Sequence, residues 1–538
     1  MYRHATEYGP VGAPLAGALN SGTRKGCPYE VLKNCKETPM PSTSPVKTTD
    51  HPIKQPKGLS GRIQWLRDFY FKGAHRGWTN EYTSWTTGTP WDEQYNELTF
   101  YIVPETYPLM QTLHASYRMA ARTVKLPEGF WNGSIPERRA WFNREVMVNY
   151  LPHEILPGDL IAGARFNIQT SLCLTRKEAR SRDKMIKGRN GARRQMKHFH
   201  DHGYGNAGAT CGHLVPGHER ALKLGWKGIY EDLDGRFQAL TANEQKGPQG
   251  KQLKAMMIAA SMPQQVAKKY GAVCRQHAAD ESDGARLGEL QQMASSLERV
   301  PWEPPKTFWE AVQALWLNHM LIMADENYPG PGVSFGRIDQ YLYPYWRYSV
   351  NRGMDREFGK EILKCFWIHA NTAYDAMIRT GNQGITAGFG QLLTLSGMGK
   401  DGVDLTNDLT YAILEVIDEM SPILEPKPNV RLHRNSPDEL LDKLVDMVES
   451  SQGAPFILNF DERSMAGMIR QGKMAGLEHL INEENVWDYA PVGCLENTMV
   501  GNDRSGTVDN NINLVKAVEL TLTGGRDMHA FTDPITMK

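Results

Sequence analysis

Two residues apart, Cys494 and Glu496 put a thiol and a carboxyl in the stretch DYAPVGCLENTMVGNDRSGTVDNNINLVKAVELTLTGG, Asp488 to Gly525. Pro491 and Gly493 mark a turn or tight loop before the thiol, and in an extended segment residues i and i+2 point the same way. The pair is therefore expected to face one pocket. A lone cysteine is more often a small buried hydrophobe than a reagent. A thiolate nucleophile would need a base and a cationic or helix N-terminal setting, and no histidine lies nearby in sequence to supply it. A neighbouring Glu496 raises a thiol pKa, which opposes thiolate chemistry and is harmless to a sulfur radical. A buried carboxyl with a raised pKa also suits general acid/base work.

Several elements must hold this pair in place. Behind it, the polar segment 502–511 leads into a helix with Leu514, Val515, Ala517, Val518 and Leu522 as its apolar stripe. Asn511 or Asn513 can cap that helix and Gly524-Gly525 can stop it, so it is expected to be a packed scaffold behind the cysteine loop. Upstream, helices over 356–374, 408–420 and 437–450 alternate with strand-like runs at 388–397, 428–433 and 454–460. That alternation predicts parallel βα units around one sheet or barrel. Earlier still the pattern is helical: a helix begins near Gly61 with Ile63, Leu66, Phe69 and Tyr70 on one side, and a second apolar face runs through Leu109, Leu113, Tyr117 and Met119. A long helical tract spans 251–297. Thr307 and Glu310 form a capping-box pattern before a helix on which His319 reads as a satisfied core histidine. The GPGVSFGRIDQYLYPYW stretch, 330–346, predicts a structural Arg337–Asp339 ion pair and places Ser334 at a cavity wall. Residues 1–58, rich in Pro, Thr, Ser, Gly and Lys without apolar periodicity, read as a disordered or surface arm, leaving 59–538 as the folded part.

At 538 residues, 40% hydrophobic and 23% charged, the chain is long enough to bury a cavity. Lys plus Arg and Asp plus Glu both number 61, so no global charge draws it to nucleic acid or an anionic membrane. It has no apolar run of the ~18 residues a membrane span needs and no secretory signal pattern, which predicts a cytoplasmic protein. Seven scattered cysteines without a C-x-x-C fit neither a disulfide framework nor a structural zinc site. The histidines and Cys211 between His198 and His218 raise a metal site, and with it a metal-dependent hydrolase, but their spacing matches no standard ligand set and the expectation is no metal.

The segment GCLE after a Pro-Val turn, with a Gly-containing polar loop and a K-A-V-E-L-T-L-x-x-G helix behind it, resembles the thiyl-cysteine loop of glycyl radical enzymes of the pyruvate formate-lyase superfamily. The usual form is G-C-V-E-P, from which Leu495 and Asn497 depart. Further matches are Pro157–Gly163, G-H-x-x-P at Gly212–Pro216, G-R-x-D-Q-Y at Gly336–Tyr341, and Gly390–Gly397, Gly402–Leu409 and Pro428–Arg431. The resemblance covers about 155–538. It implies an α/β fold, a ten-stranded barrel of two half-barrels surrounded by helices, with a helical N-terminal region and the cysteine loop inserted at the centre. His213, in the G-H-x-x-P element, is then expected near the substrate.

The same resemblance implies the chemistry. A glycyl radical takes hydrogen from Cys494, the thiyl radical takes hydrogen from a small organic substrate, and Glu496 moves a proton as a bond breaks. It also implies a radical S-adenosylmethionine activating enzyme and a homodimer. The G-C-L-E variant is that of arylacetate decarboxylases, so the resemblance narrowly favours decarboxylation of an arylacetate-type acid, although the histidine those enzymes carry after the cysteine is missing here. Arg504 stands in that region and could bind a substrate carboxylate or pair with Asp503 or Asp509. Dehydratases, C–N or C–S lyases, fumarate-adding alkyl- or arylalkylsuccinate synthases and a binding pseudoenzyme are the alternatives. No R-V-x-G-Y motif, the family's glycyl radical signature, stands in the 538 residues, so the expectation is a fragment with a truncated barrel, inactive alone.

Overall fold

The computed structural model describes residues 58–71, 124–149, 153–163, 173–187, 197–199, 201–207, 213–325, 333–372, 391–421, 426–450, 457–493, 495–502 and 510–526. The arm expected at 1–58, apart from Gly58, lies outside the described residues, as do Leu109, Leu113, Tyr117, Met119, Cys494 and Arg504.

The first part is helical: α1 (Gly61–Phe71), α2 (Ile135–Asn149), α3 (Arg176–Lys187), the short strand β1 (Gly205–Ala207), α4 (His218–Gln238), α5 (Ala242–Lys246), α6 (Pro248–Ala260), α7 (Met262–Asp280), α8 (Gly284–Arg299) and α9 (Phe308–Asp325). Helix α1 starts at Gly61 and buries Ile63 and Leu66, as its pattern predicts. The helical tract expected over 251–297 is present as the three helices α6, α7 and α8. Pro263 sits in the first turn of α7, where its missing N–H costs nothing, and Asp283 caps α8 by accepting from Ala285 N at 3.0 Å. Helix α9 opens with the reciprocal Thr307/Glu310 bonds, both 3.3 Å. Its Val312, Trp316 and Met320 are fully buried, so α9 is a central helix of the core. His319 is a core histidine, stacked on Phe335 at 3.9 Å with Nε2 3.0 Å from Gln391 Oε1. No described helix is long and apolar enough to cross a membrane.

The second part adds β2 (Gly336–Arg337), α10 (Ile338–Tyr341), α11 (Tyr343–Val350), α12 (Arg356–Thr372), β3 (Leu392–Ser396), α13 (Asp408–Met420), β4 (Lys427–Leu432), α14 (Asp438–Ser450), β5 (Ile457–Phe460), α15 (Asp461–Met474), β6 (Tyr489–Val492), β7 (Glu496–Met499), β8 (Asn510–Ile512) and α16 (Leu514–Leu522). Strands β2, β3, β4 and β5 form a parallel sheet in that order, with helices in the crossovers, as the alternating pattern predicts. Leu393, Leu395, Val430 and Leu432 lie on one face and join the helix side chains in the main core. The other face is polar, because alternate residues of a strand point to opposite sides. Arg337 pairs in register with Thr394, Thr394 with Asn429, and Ser396 with Arg431.

Two expectations fail here. The Arg337–Asp339 ion pair does not form: Arg337 Nη1 lies 3.2 Å from Asp488 Oδ1, while Asp339 accepts from Ser396 N (2.7 Å) and Thr410 Oγ1 (2.6 Å). Residues two apart across the strand-to-helix turn leave in different directions, so Arg337 follows the sheet and Asp339 the helix. Burial raises the pKa of Asp339 despite those donors. The second failure is α16. Asn513 caps it, accepting from Lys516 N at 3.1 Å, and Gly524 and Gly525 end it at positive φ. Yet Leu514 (75%), Val515 (79%) and Leu522 (82%) are exposed, so it is not packed behind the cysteine loop by its apolar stripe. Its preceding strand is instead tied by backbone pairing of β8 with β1 and by Asn513 N donating to Tyr204 O at 2.9 Å.

Candidate active site

Strands β6 and β7 make an antiparallel hairpin in which Val492 faces Glu496, and Gly493, Cys494 and Leu495 connect them. The turn closes through Leu495 N donating to Val492 O at 3.0 Å. Gly493 lies at φ +52° and Leu495 at φ +100°. The turn or tight loop expected here is present, and because Leu495 leaves the β region the i, i+2 alternation invoked for residues 494 and 496 does not apply. A non-glycine residue in such a conformation costs about 1–3 kcal/mol and persists only where its surroundings hold it. Such strain clusters at functional sites, and here it falls beside Cys494 in sequence.

Two segments distant in sequence hold the turn. Ser334 is fully buried, and its Oγ accepts from Gly493 N at 3.3 Å and from Leu392 N at 3.1 Å. Ser334 N in turn donates to Leu214 O at 3.0 Å, bringing 213–217 alongside. His213, 1% exposed and at φ +49°, sets its Nδ1 3.4 Å from Glu496 Oε1. Its ring lies flush against the α-carbon of Gly493, where a Cβ would stand 2.5–2.8 Å from ring atoms. Gly501 N donates to Val215 O at 2.9 Å, so the same segment holds the far end of the hairpin. The turn thus brings together Glu496, Ser334 and His213 of the expected site residues. Cys494 and Arg504 lie outside the described residues.

Sequence reading missed the tie made by Ser334, since nothing in a sequence marks which backbone N–H a buried hydroxyl will meet. It also missed the residues that grip β6. Arg431 donates to Tyr489 O at 3.0 Å, and Arg337 lies over the Trp487 ring at 5.5 Å. The histidine-rich stretch is divided among different surroundings. The His198 and His202 rings lie 4.1 Å apart at a tilt of 37° near Tyr204, His213 meets Glu496, and His218 is buried in the core facing His319 and Phe335. Among the described residues no three potential metal ligands gather, and Cys211 is not one of those residues.

A carboxyl, an imidazole and a hydroxyl around a strained Gly-Cys-x-Glu turn can exchange protons with a small molecule. The pyruvate formate lyase-like family model matches residues 183–534. The isethionate sulfite-lyase of Desulfovibrio desulfuricans is 31% identical over 323 residues, 58% of this chain and 37% of that protein. The (2S)-3-sulfopropanediol dehydratase of Klebsiella oxytoca is 29% identical, covering 60% and 38%. The indoleacetate decarboxylase of Tractidigestivibacter scatoligenes is 30% identical over 246 residues, 45% of this chain and 27% of that protein. The chain thus spans under two fifths of the length of these curated relatives. Among solved structures, a glycyl radical enzyme from Archaeoglobus fulgidus is similar at TM-score 0.62 and 25% identity over 77% of this chain and 57% of that one. Hydroxyproline dehydratase from Clostridioides difficile is similar in fold at TM-score 0.65, 21% identity, over 90% and 60%. With more than half of its length matched by the family model, this chain belongs to the pyruvate formate lyase-like family, whose solved neighbours are glycyl radical enzymes.

Proposed function

We propose that the chain carries the thiyl half of a glycyl radical lyase that eliminates a heteroatom group from a small organic substrate. The observation that carries this reading is the pairing of Glu496 with buried His213 beside the Gly493–Leu495 turn. The family's glycyl radical, when present, supplies the acceptor that turns the Cys494 thiol into a thiyl radical. Cys494 Sγ then takes a hydrogen atom from a substrate carbon, forming S–H and a carbon radical. As the bond from the adjacent carbon to the leaving group breaks, one of Glu496 and His213 delivers the proton that leaves with it, the other takes the proton from the hydroxyl or amine on the radical carbon, and proton transfer between the two restores both. The product radical takes the hydrogen back from Cys494 S–H, which balances the reaction. Buried Ala490 and Val492 give the hairpin an apolar flank, which suits a radical that water and oxidants would quench. In this reading the four-stranded sheet is part of the ten-stranded barrel, an activating enzyme installs the radical, and the working enzyme is a homodimer.

Decarboxylation of an arylacetate is the second reading. It rests on Leu495 in G-C-L-E and on the similarity to the indoleacetate decarboxylase. It stands behind elimination because carbon dioxide departs without a proton, leaving the second group, His213, no task at the leaving atom.

The test uses the complete gene product with a radical S-adenosylmethionine activase and a panel of isethionate, (2S)-3-sulfopropanediol, trans-4-hydroxy-L-proline and indoleacetate. Turnover of one of the first three with loss of all activity in Cys494→Ala is expected, the glycyl radical signal in electron paramagnetic resonance being retained. Carbon dioxide from indoleacetate alone would favour the second reading. Turnover surviving in Cys494→Ala would end both.

A further inference from the structure

One buried charge cluster is not used by the chemistry proposed above, and it touches the cysteine hairpin directly. Arg431 on β4 and Asp461 at the start of α15 are both fully buried. Their pair is bidentate, Nε to Oδ1 at 2.8 Å and Nη2 to Oδ2 at 3.0 Å. Arg431 Nη1 also donates to Tyr489 O at 3.0 Å, and its guanidinium lies 4.1 Å from the centre of the Tyr489 ring. Tyr489 closes the circuit by donating its hydroxyl to Asp461 Oδ1 at 2.7 Å. Met398 completes it from β3's end, donating N–H to Asp461 Oδ2 at 2.6 Å and accepting from Arg431 Nη2 at 3.3 Å. Gly397 is required beside it: at φ +97°, a Cβ there would stand 2.8 Å from Arg431 Nε.

We propose that Arg431, Asp461 and Tyr489 form a positioning clamp that fixes the cysteine hairpin in register on the polar face of the sheet and so sets where Cys494 and Glu496 stand. This rests on the radical reading of Cys494. The geometry favours positioning over bulk stability. A closed ring of charge-assisted bonds has one arrangement, and it terminates on the backbone and side chain of the first residue of β6. From Tyr489 to Gly493 the hairpin runs about 13 Å at the usual strand rise. At its far end the Ser334 hydroxyl takes Gly493 N–H, so the strand is pinned at both ends. Reaction geometry is unforgiving, since a misplacement of about 1 Å can cost on the order of 10²-fold in rate.

The experiment compares Tyr489→Phe, Asp461→Asn and Arg431→Lys with the parent in the complete, activated enzyme. Tyr489→Phe deletes one oxygen and leaves the ion pair, so it guards against a variant that fails to fold. Glu415→Gln is the control, since it breaks the Arg356–Glu415 pair (2.7 and 2.9 Å) joining helices α12 and α13. In the three clamp variants kcat is expected to fall at least about tenfold. Glycyl radical per chain should stay unchanged, and amide hydrogen exchange should quicken over 489–499 but not over α6–α8. The control should lose stability without that kcat loss. Parent-like kcat in all folded clamp variants would overturn the proposal, as would a fall in kcat with the hairpin's exchange unaltered. If the parent forms no radical, or Cys494→Ala still turns over, the radical reading fails instead. Hydrogen exchange alone then decides whether the clamp fixes the hairpin.

Discussion

At the scale of single residues, the turn at Gly493 is the least tolerant position. Any side chain there meets the His213 ring and is held at positive φ besides. Gly493→Ala is therefore expected to lower kcat about 100-fold, because His213 or the turn must move by about 1 Å. Steady-state kinetics at matched radical content checks this. Burial sets a second prediction. His218, fully buried, is pushed down to about 3 by desolvation, and His153 to about 4 by burial and the nearby Lys269 charge. In the unfolded chain both titrate near 6.5, so the unfolded state binds more protons as pH falls below that value. Above about 6.5 neither group affects stability. Below it, stability falls by up to about 1.4 kcal/mol per pH unit per group, until the folded-state value is reached. Urea midpoints at pH 7.5 and 5.5 should show that loss, and His218→Phe should flatten part of it.

At the scale of elements, Ser334 ties three pieces together: the 213–217 segment, the start of β3 and the hairpin turn. Ser334→Ala leaves two backbone N–H groups without their acceptor, a cost of about 1–3 kcal/mol for each one that stays buried and unsatisfied. A fall in thermal midpoint together with loss of kcat is expected. A variant with normal kcat would show that the turn keeps its place without this bond. The cap of α16 offers a milder case. Asn513→Ala should cost about 1–2 kcal/mol, read by chemical denaturation, since it removes the N-cap bond and the Asn513 Nδ2 bond to Gly203 O at 3.0 Å from a helix with little tertiary packing.

At the scale of the whole molecule, apolar surface is left uncovered. Leu514, Val515, Val518 and Leu522 on α16 stand exposed, and so do Leu458 and Phe460 on β5, which has a strand neighbour on one side alone among the described residues. Large exposed apolar patches and open strand edges promote association. The 538-residue chain on its own is expected to bind an apolar dye and to elute larger than a monomer in size-exclusion chromatography. Leu514→Lys with Leu522→Lys should reduce both effects. A monodisperse monomer without dye binding would contradict the exposure of these faces.

Local periodicity was enough to place much of the frame. Strands β3, β4 and β5 and helices α12, α13 and α14 fall within a few residues of their expected bounds, because each carries its own alternation, cap or glycine stop. The matched motifs likewise marked Glu496 and His213 as candidates, and the loop beside a Gly/Pro turn marked Ser334. What sequence could not supply was direction. Whether Arg337 meets Asp339 or Asp488, and whether Leu495 is extended or left-handed, depends on a neighbour 151 residues away or on a turn's closure. The stripe on α16 shows the converse limit: amphipathic spacing says which side of a helix is apolar, and only the fold says whether anything lies against it. The meeting of His213 with Glu496, 283 positions apart by their numbers, is likewise a product of tertiary structure, since the bonds that create it run through Ser334 and the backbone of a distant loop.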